Sequence, residues 1–383
     1  MKKAINLFII SVLLVLYFSC TKDYPINNSP KDQDFLSQYL NLPKVPFNYA
    51  SQSLPDFFND QFIQIQNNTP ANNKVTDWGA TLGRVLFYDT RLSANSTVSC
   101  ASCHNQKFGF TDTAQFSKGF KGGATKRHSM SLINAAYYSN GRFFWDERAA
   151  SLEDQVLQPV QDAVEMGMQL DTLVNRLNAT PFYPVLFKYA FPDAQINSVN
   201  ISKALAQFVR SMISFDSKYD IGLIKTGNRL VDFPNFTVEE NLGKTIFMTN
   251  NKVNCFGCHN TNAFIMDNPR NNGLKLTNKD SGIYVHSKNM VDIGKFKAPS
   301  LKNIAMRGRY MHDGSIVGLA NVINHYNIGI FANPYLDNHL KDINGNPETM
   351  NLTPLEINAL QAFLETLSDN RIITDEKFSS PFY

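Results

Sequence analysis

The feature that most constrains this 383-residue chain is a five-residue motif that occurs twice, at residues 100–104 and 255–259. In each copy two Cys flank a pair of other residues, and a His follows directly. This Cys-x-x-Cys-His arrangement is the attachment signature of a c-type haem: two thiols bond to the porphyrin edge and the His binds the iron. The residues assigned to attachment and to iron ligation are Cys100, Cys103, His104, Cys255, Cys258 and His259.

Two other kinds of site use the same cysteine spacing. Paired Cys-x-x-Cys motifs can hold zinc, and a single pair can form a redox disulfide. The zinc interpretation leaves the His after each pair unexplained, and redox disulfides of this spacing usually occur once in a chain. Because the whole signature is duplicated, and its copies are far enough apart for one small domain each, the sequence predicts two covalently bound haems.

The start of the chain resembles an export signal. Two Lys follow Met1, and an apolar run from Leu7 to Phe18 is too short to span a membrane comfortably. Four of the five Cys belong to the haem signatures, so Cys20 is left over. We therefore predict a signal peptide at 1–19 and lipid attachment at Cys20, on the periplasmic side of a Gram-negative envelope; the alternative is an ordinary signal peptide with an unused Cys.

Composition limits the classes of partner. The formal net charge is +3 and no cluster of basic residues resembles a nucleic-acid-binding patch. Aromatic residues make up 12% of the chain, which suits haem pockets but equally suits an ordinary apolar core. We expect no nucleic-acid partner, and contact with a membrane only through the lipid anchor.

The later part of the chain carries helical patterns. An apolar stripe runs from Ile201 to Met212, and Asn200 is placed to cap it. Capping boxes begin at Thr237 and Thr353, the second with Pro at the first helical position. No hairpin series or βαβ alternation is present, so the predicted fold is mainly α.

The predicted organisation has two haem domains behind a polar N-terminal segment. Aromatic and aliphatic residues at 57–65 suggest that part of that segment packs against the body. The predicted ranges are a signal peptide at 1–19, a lipoprotein tether and N-terminal arm at 20–70, an N-terminal haem domain at 71–230 and a C-terminal haem domain at 231–383.

Six further stretches resemble the bacterial dihaem cytochrome c peroxidase family, which includes the cofactor-forming enzyme MauG. Because they occur in the family's order, they are more specific than the haem signatures alone. The resemblance implies two cytochrome c-like haem domains in one chain. It also implies that the haem on Cys100 and Cys103 reacts with peroxide, while the other takes electrons from a donor. The stretches lie at 82–93, 144–149, 152–155, 165–166, 297–303 and 310–314.

The resemblance also implies roles for individual residues. Glu165 matches the family's distal carboxylate, which moves the proton during peroxide cleavage. Trp145 matches the Trp between the two haems. In many members a distal His closes the peroxidatic haem, and its position here would fall near Phe120, where no His is present. We therefore expect an open distal side at the first haem, with His128 as the alternative ligand. His128 replaces an Asn that helps to bind calcium in relatives, which leaves calcium only a possible cofactor.

The second haem needs a sixth ligand, which is a Met in many members of the family. The matching position here is Tyr326, and MauG-like members have Tyr at this place. Tyr and Met are both established haem ligands. We predict Tyr326, with Met311 as the main alternative and Met306 and His325 as further competitors.

Three functions remain open at this point. The first is a peroxidase that reduces hydrogen peroxide with electrons from a small cytochrome c or cupredoxin, which enter at the second haem and pass through Trp145. The second is a MauG-like oxidase that uses peroxide to modify a partner protein. The third is a non-enzymatic dihaem electron carrier, against which Glu165 argues because a carrier needs no distal acid–base group.

Overall fold

The computed structural model describes residues 29–249, 254–276 and 279–383. The signal peptide at 1–19 and Cys20 lie outside these residues. Among the residues described, no helix is both long enough and apolar enough to cross a lipid bilayer.

Helices dominate the described chain, as predicted. The α-helices are α1 (Pro30–Leu36), α2 (Gln61–Gln64), α3 (Asp77–Tyr88), α4 (Cys100–Cys103), α5 (Leu152–Gln155), α6 (Gln158–Gln161), α7 (Leu170–Asn178), α8 (Tyr183–Ala190), α9 (Ser198–Arg210), α10 (Lys218–Thr226), α11 (Val238–Thr249), α12 (Cys255–Cys258), α13 (Tyr284–Ser287), α14 (Leu319–Ile328), α15 (Pro354–Glu365) and α16 (Asn370–Thr374). Short 3-10 turns lie at Asp56–Phe58, Thr90–Leu92, Gln106–Phe108, Ala135–Tyr137, Met290–Asp292, Ile304–Met306, Asn338–Leu340 and Glu376–Phe378.

Strands are few and short in the described residues. Strand β1 (Met266–Arg270) pairs antiparallel with β2 (Phe296–Ala298), and β3 (Arg309–Tyr310) pairs antiparallel with β4 (Ile316–Val317). These two-stranded pairs hold the loops around the second Cys-x-x-Cys-His motif.

The predicted helix starts are confirmed at two places and wrong at one. The Thr237 hydroxyl accepts a hydrogen bond from the backbone amide of Glu240, and the carboxylate of Glu240 accepts one from the backbone amide of Thr237. The capping box at Thr353 forms in the same way with Glu356. Helix α9 begins earlier than predicted, because the side chain of Asn197, and not that of Asn200, caps it. Its first turn is polar, so the apolar stripe did not reveal it.

Two helix pairs of similar design lie behind the two motifs. Helix α3 crosses α9 so closely that a Cβ on Gly83 would lie 2.0 Å from the carbonyl oxygen of Ala204. Helix α11 crosses α15 in the same way, with Gly243 against the carbonyl of Ala359 at 1.8 Å. Only glycine permits such close backbone approach. Helix α3 contacts α4 and α11 contacts α12, so each pair supports one Cys-x-x-Cys-His motif.

Two large apolar clusters fill the interior. The first gathers buried residues between Leu36 and Met212, and the second gathers buried residues between Tyr219 and Leu367. Phe58 and Ile63 are buried in the first cluster, which confirms that part of the N-terminal arm packs down.

The last part of the described chain returns to the first cluster. Ile372 and Phe378 are buried there, although they follow the second Cys-x-x-Cys-His motif by more than a hundred residues. The Tyr49 hydroxyl donates to the carbonyl of Lys377 at 2.5 Å, and Nε of Arg84 donates to the carbonyl of Ser379 at 2.6 Å. Residues 372–379 therefore complete the core behind the first motif.

Candidate functional site

The two Cys-x-x-Cys-His motifs adopt the same local structure. Each forms a one-turn helix, in which the amide of the His donates to the carbonyl of the first Cys at 2.9 Å. A side chain just before each turn caps it: Ser99 forms a capping box in the first, and Asn254 accepts from an amide in the second. The sequence duplication is thus a duplication of backbone shape.

The four thiols are free and largely buried. Neither motif contains a disulfide. Burial raises the pKa of Cys100 and Cys255 to about 12 and that of Cys103 and Cys258 to about 11. A reactive cysteine needs a stabilised thiolate, and burial here has the opposite effect. In the described residues no three or more His, Cys, Asp or Glu side chains gather in a metal-binding group.

Both His rings are favoured in the neutral form, but only that of His104 is oriented by a hydrogen bond, since Nδ1 of His259 is buried without a partner among the described residues. Nδ1 of His104 lies 3.0 Å from the carbonyl oxygen of Phe110 and 3.1 Å from the Ser129 hydroxyl. A ring that donates from Nδ1 keeps the Nε2 lone pair for a metal. Burial lowers the pKa of both rings, that of His259 to about 4, against the opposing effect of the Phe264 carbonyl.

Glu165 lies beside the first motif. Its carboxylate raises the pKa of the Cys100 and Cys103 thiols, and it accepts no hydrogen bond from any residue that the structure describes. Burial, and then the charge of Asp162, raise the pKa of the Glu165 carboxyl above its usual value. A half-buried carboxyl with no protein partner is free to exchange protons with a small molecule.

The loop that carries Glu165 is held from two sides. One carboxylate oxygen of Asp162 accepts from the amides of Val164 and Glu165, at 2.8 and 3.0 Å. The amide of Phe120 donates to the carbonyl of Glu165 at 2.9 Å. The Phe120 ring packs onto Gly167, where an added Cβ would meet it at 2.4 Å. Phenylalanine thus stands where the family resemblance called for a His, and its ring has no atom that binds iron.

His128 lies away from Glu165. Its Nδ1 is 3.1 and 3.2 Å from the carbonyl oxygens of Ala114 and Gln115, and its amide donates to the carbonyl of His312. The side chain lines the cavity at the second motif, whose wall does not include Glu165. The structure therefore does not bring together the two residues considered for the open side of the first haem.

A large cavity adjoins the second motif. Its volume is about 190 Å³, and Cys255, Cys258 and His259 lie in its wall. These three residues border one space whose surface is mostly apolar. This donor set and this shape fit a porphyrin bound through its edge and its iron.

Two of the four candidate sixth ligands face this cavity. Tyr326 and Met311 line it, and the side-chain amide of Asn272 lies 3.4 Å from the Tyr326 hydroxyl and 3.3 Å from the Met311 sulfur. Burial raises the pKa of Tyr326 to about 12, while the Asn272 amide opposes that rise. His325 instead places Nε2 3.1 Å from the carbonyl oxygen of Asn272, and neither His325 nor Met306 lines the cavity.

Trp145 joins the surroundings of the two motifs. Its ring nitrogen donates to the carbonyl of His128 at 2.7 Å, and its own carbonyl accepts from the Lys297 amide at 2.8 Å. The next residue after His128, Ser129, contacts the ring of His104. Trp145 also lines the cavity of the second motif. It is therefore linked to both motifs: it borders the second cavity directly, and it reaches the ring of His104 through its hydrogen bond to His128 and the adjacent Ser129.

Sequence reasoning missed three polar residues of the site. Ser129 contacts His104, Asn272 contacts both candidate ligands, and Arg307 lies buried in the cavity wall. Asn272 follows a short strand inside a loop without periodicity, so nothing local distinguishes it. Arg307 lies between two of the stretches that carry the resemblance, and its position there was the only available signal.

Comparison with known proteins gives consistent results. A family model described as "Di-haem cytochrome c peroxidase" matches residues 78–226. The methylamine utilization protein MauG of Methylophilus methylotrophus is 33% identical over 300 residues, which cover 78% of this chain and 84% of that protein. The cytochrome-c peroxidase IdrP1 of Denitromonas iodatirespirans is 28% identical over 329 residues, which cover 78% of this chain and 84% of the relative.

A solved structure is similar in fold. It is the crystal structure of a MauG-like protein associated with microbial copper homeostasis, with a TM-score of 0.71 and 30% sequence identity. The match covers 86% of this chain and 99% of that one. The similarity therefore extends over most of this chain and nearly all of the other.

Proposed function

The chain belongs to the dihaem cytochrome c peroxidase family, and from that premise we propose that it reduces hydrogen peroxide to water with electrons from a small redox protein. It is an enzyme, a haem-dependent oxidoreductase that acts on peroxide. The observation that carries the proposal is the half-buried carboxyl of Glu165, which lies beside the first pair of attachment cysteines and accepts no hydrogen bond from the described residues.

Two covalently bound c-type haems supply the redox chemistry. Cys100 and Cys103 would attach the first, with His104 as the ligand of its iron, and Cys255 and Cys258 would attach the second, with His259 as the ligand of its iron. The matching helix pairs support a division into two haem domains behind an N-terminal arm, which we place at 71–230 and 231–383. Two segments cross that boundary: Tyr219 and Leu223 pack in the second cluster, and Ile372 and Phe378 pack in the first.

Glu165 acts as the general acid–base at the first haem. A haem bound there would supply the iron at which peroxide is reduced. The overall reaction joins H₂O₂, two protons and two electrons to give two molecules of water. Glu165 takes the proton from the near oxygen of peroxide and returns it to the departing one, for which its carboxyl must lose and regain a proton near neutral pH. The raised pKa suits this exchange.

Electrons from the donor would enter at the second haem and reach the first through Trp145. The indole is oxidisable, lines the second cavity and donates a hydrogen bond to the residue before Ser129. This arrangement shortens the gap that an electron must cross. The proposed donor is a small cytochrome c or a cupredoxin.

Tyr326 is the proposed sixth ligand of the second haem, with Met311 the alternative. Its hydroxyl reaches the same cavity as His259, and the Asn272 amide beside it favours the phenolate. A bound metal ion favours that anionic form further. The first haem has no His partner on its Glu165 side in this proposal, since Phe120 stands there and His128 lines the other cavity.

A second candidate function is MauG-like oxidation of a partner protein with peroxide. Two observations favour it: Tyr326 faces the second cavity, and Phe120 stands where the family resemblance called for a distal His. A pure electron carrier is disfavoured, because Glu165 would then have no function.

Calcium remains a possible further cofactor, and the proposed location is the periplasmic side of a Gram-negative envelope, with a lipid anchor at Cys20.

The deciding experiment compares two reactions of the purified holoprotein. One mixes it with peroxide and a reduced small cytochrome or cupredoxin, and follows oxidation of the donor. The other mixes it with peroxide and the product of a neighbouring gene, and follows that product by mass spectrometry. Sustained donor oxidation supports the peroxidase, whereas a peroxide-dependent mass change in the partner without donor turnover supports the MauG-like function.

A further inference from the structure

Arg307 is a buried cation in the wall of the second cavity. Only 8% of its surface is exposed. Its Nη2 donates to the carbonyls of Ser300 and Lys302, both at 3.0 Å, and its Nε is buried without any hydrogen-bond partner in the part of the chain described. Burial lowers the pKa of its guanidinium to about 10, which is the direction expected for a cation that lacks a counter-ion.

The protein supplies no carboxylate for this charge. Across residues 29–249, 254–276 and 279–383, no Asp or Glu oxygen lies within 4 Å of the Arg307 guanidinium. Two other cations in the same wall are paired, Arg270 with Asp337 at 2.7 Å and Lys297 with Glu147 at 2.9 Å. A third, Arg309, is only partly buried and donates to the carbonyl of Gly314 at 3.1 Å. An unpaired buried charge costs several kcal/mol, so the missing partner calls for an explanation.

A group that occupies the cavity can supply the missing charge. A porphyrin carries two propionate carboxylates on the edge away from its attachment to Cys255 and Cys258. Arginine and carboxylate form short, forked, charge-assisted hydrogen bonds. Resting on the proposed binding of a haem at the second motif, we propose that Arg307 binds a propionate of that haem and thereby neutralises it.

The pairing has a consequence for electron transfer. A propionate that is neutralised by a fixed cation neither repels an incoming electron strongly nor takes up a proton when the iron is reduced. Arg307 is then a positioning residue that keeps the potential of the second haem high and nearly independent of pH. It partly offsets the anionic Tyr326, which would lower that potential.

The test replaces Arg307 and measures the potential of the second haem in the holoprotein between pH 6 and pH 8. In Arg307→Gln the potential should fall and become dependent on pH, because the unpaired propionate takes up a proton on reduction. Arg229→Gln is the matched control: Arg229 lies over the ring of Phe256 in the same motif but outside the cavity. That variant should leave both the potential and its pH dependence as in the wild type.

Two outcomes would overturn the inference, provided that the measured mass shows both haems attached. One is an unchanged potential in Arg307→Gln. The other is a lower potential with no new pH dependence, which would mean that Arg307 is a cation not paired with a propionate. A wild-type mass without a haem on Cys255 and Cys258 would instead refute the proposed function itself. If Arg307→Gln does not fold, Arg307→Lys is measured by infrared spectroscopy on reduction of the haem. The propionate carboxylate bands should then lie at different frequencies from those of the wild type, and bands at the wild-type frequencies would reject the pairing.

Discussion

Replacement of Glu165 by Gln is the sharpest test of the peroxidase chemistry. Gln has nearly the size of Glu but cannot exchange a proton near neutral pH. The carboxylate accepts no hydrogen bond from the described residues, and its burial disfavours the charge, so Glu165→Gln should fold at least as well as the wild type. The loss should fall on proton transfer alone, which is usually worth ~10²–10⁴ in rate, or about 3–5 kcal/mol of activation free energy.

The assay is steady-state oxidation of a reduced donor at saturating peroxide, together with the rate at which the ferric protein first reacts with peroxide. Both rates should drop by the same factor in Glu165→Gln, while the haem content and the spectrum of the second haem stay unchanged. Activity within a few-fold of the wild type would refute the role of Glu165.

The pH profile gives an independent check through Asp162. A general base works only when it is deprotonated, so the rate should fall as pH drops through the raised pKa of Glu165. Asp162→Asn removes the nearby charge that raises this pKa, but keeps an oxygen that can accept from the amides of Val164 and Glu165. The acid limb of the profile should therefore move to lower pH; a limb that does not move would mean that another group is titrating.

Four further variants test the remaining assignments. The double change Cys100→Ala and Cys103→Ala should reduce the mass by one haem and remove the peroxide-reactive spectrum; retention of both haems would contradict attachment there. Tyr326→Phe should alter the low-spin ferric spectrum and raise the potential of the second haem, and loss of that spectrum in Met311→Leu alone would make sulfur the ligand. Lys302 and Asp220 are both fully buried, and their charged atoms lie 2.5 Å apart. Lys302→Ala leaves the Asp220 carboxylate buried without this cation, so it should lower the free energy of unfolding in a denaturant titration by about 3–5 kcal/mol. A loss below about 1 kcal/mol would count against this pairing.

Local patterns predicted the helical fold and the attachment motifs well. The Cys-x-x-Cys-His spacing fixes a one-turn helix on its own, and the capping boxes at Thr237 and Thr353 consist of side chains three residues apart. Such features depend on neighbours in sequence, so a sequence reveals them. The start of α9 was missed because its first turn is polar.

Contacts between distant residues were beyond the sequence. The Asn272 amide meets Met311 and Tyr326 from 39 and 54 residues away, and only the fold brings them together. Arg307 reads as an ordinary surface cation until the structure shows it buried without a carboxylate. The family resemblance supplied Glu165 and Trp145, because no local pattern distinguishes a lone Glu or Trp.

The return of residues 372–379 to the first apolar cluster bears on how the protein matures. A ribosome completes the second attachment motif well before it makes Ile372 and Phe378, which close the core behind the first motif. The core behind the first motif can therefore close only when nearly the whole chain has been made, after α11 and α15, the crossing helices behind the second motif.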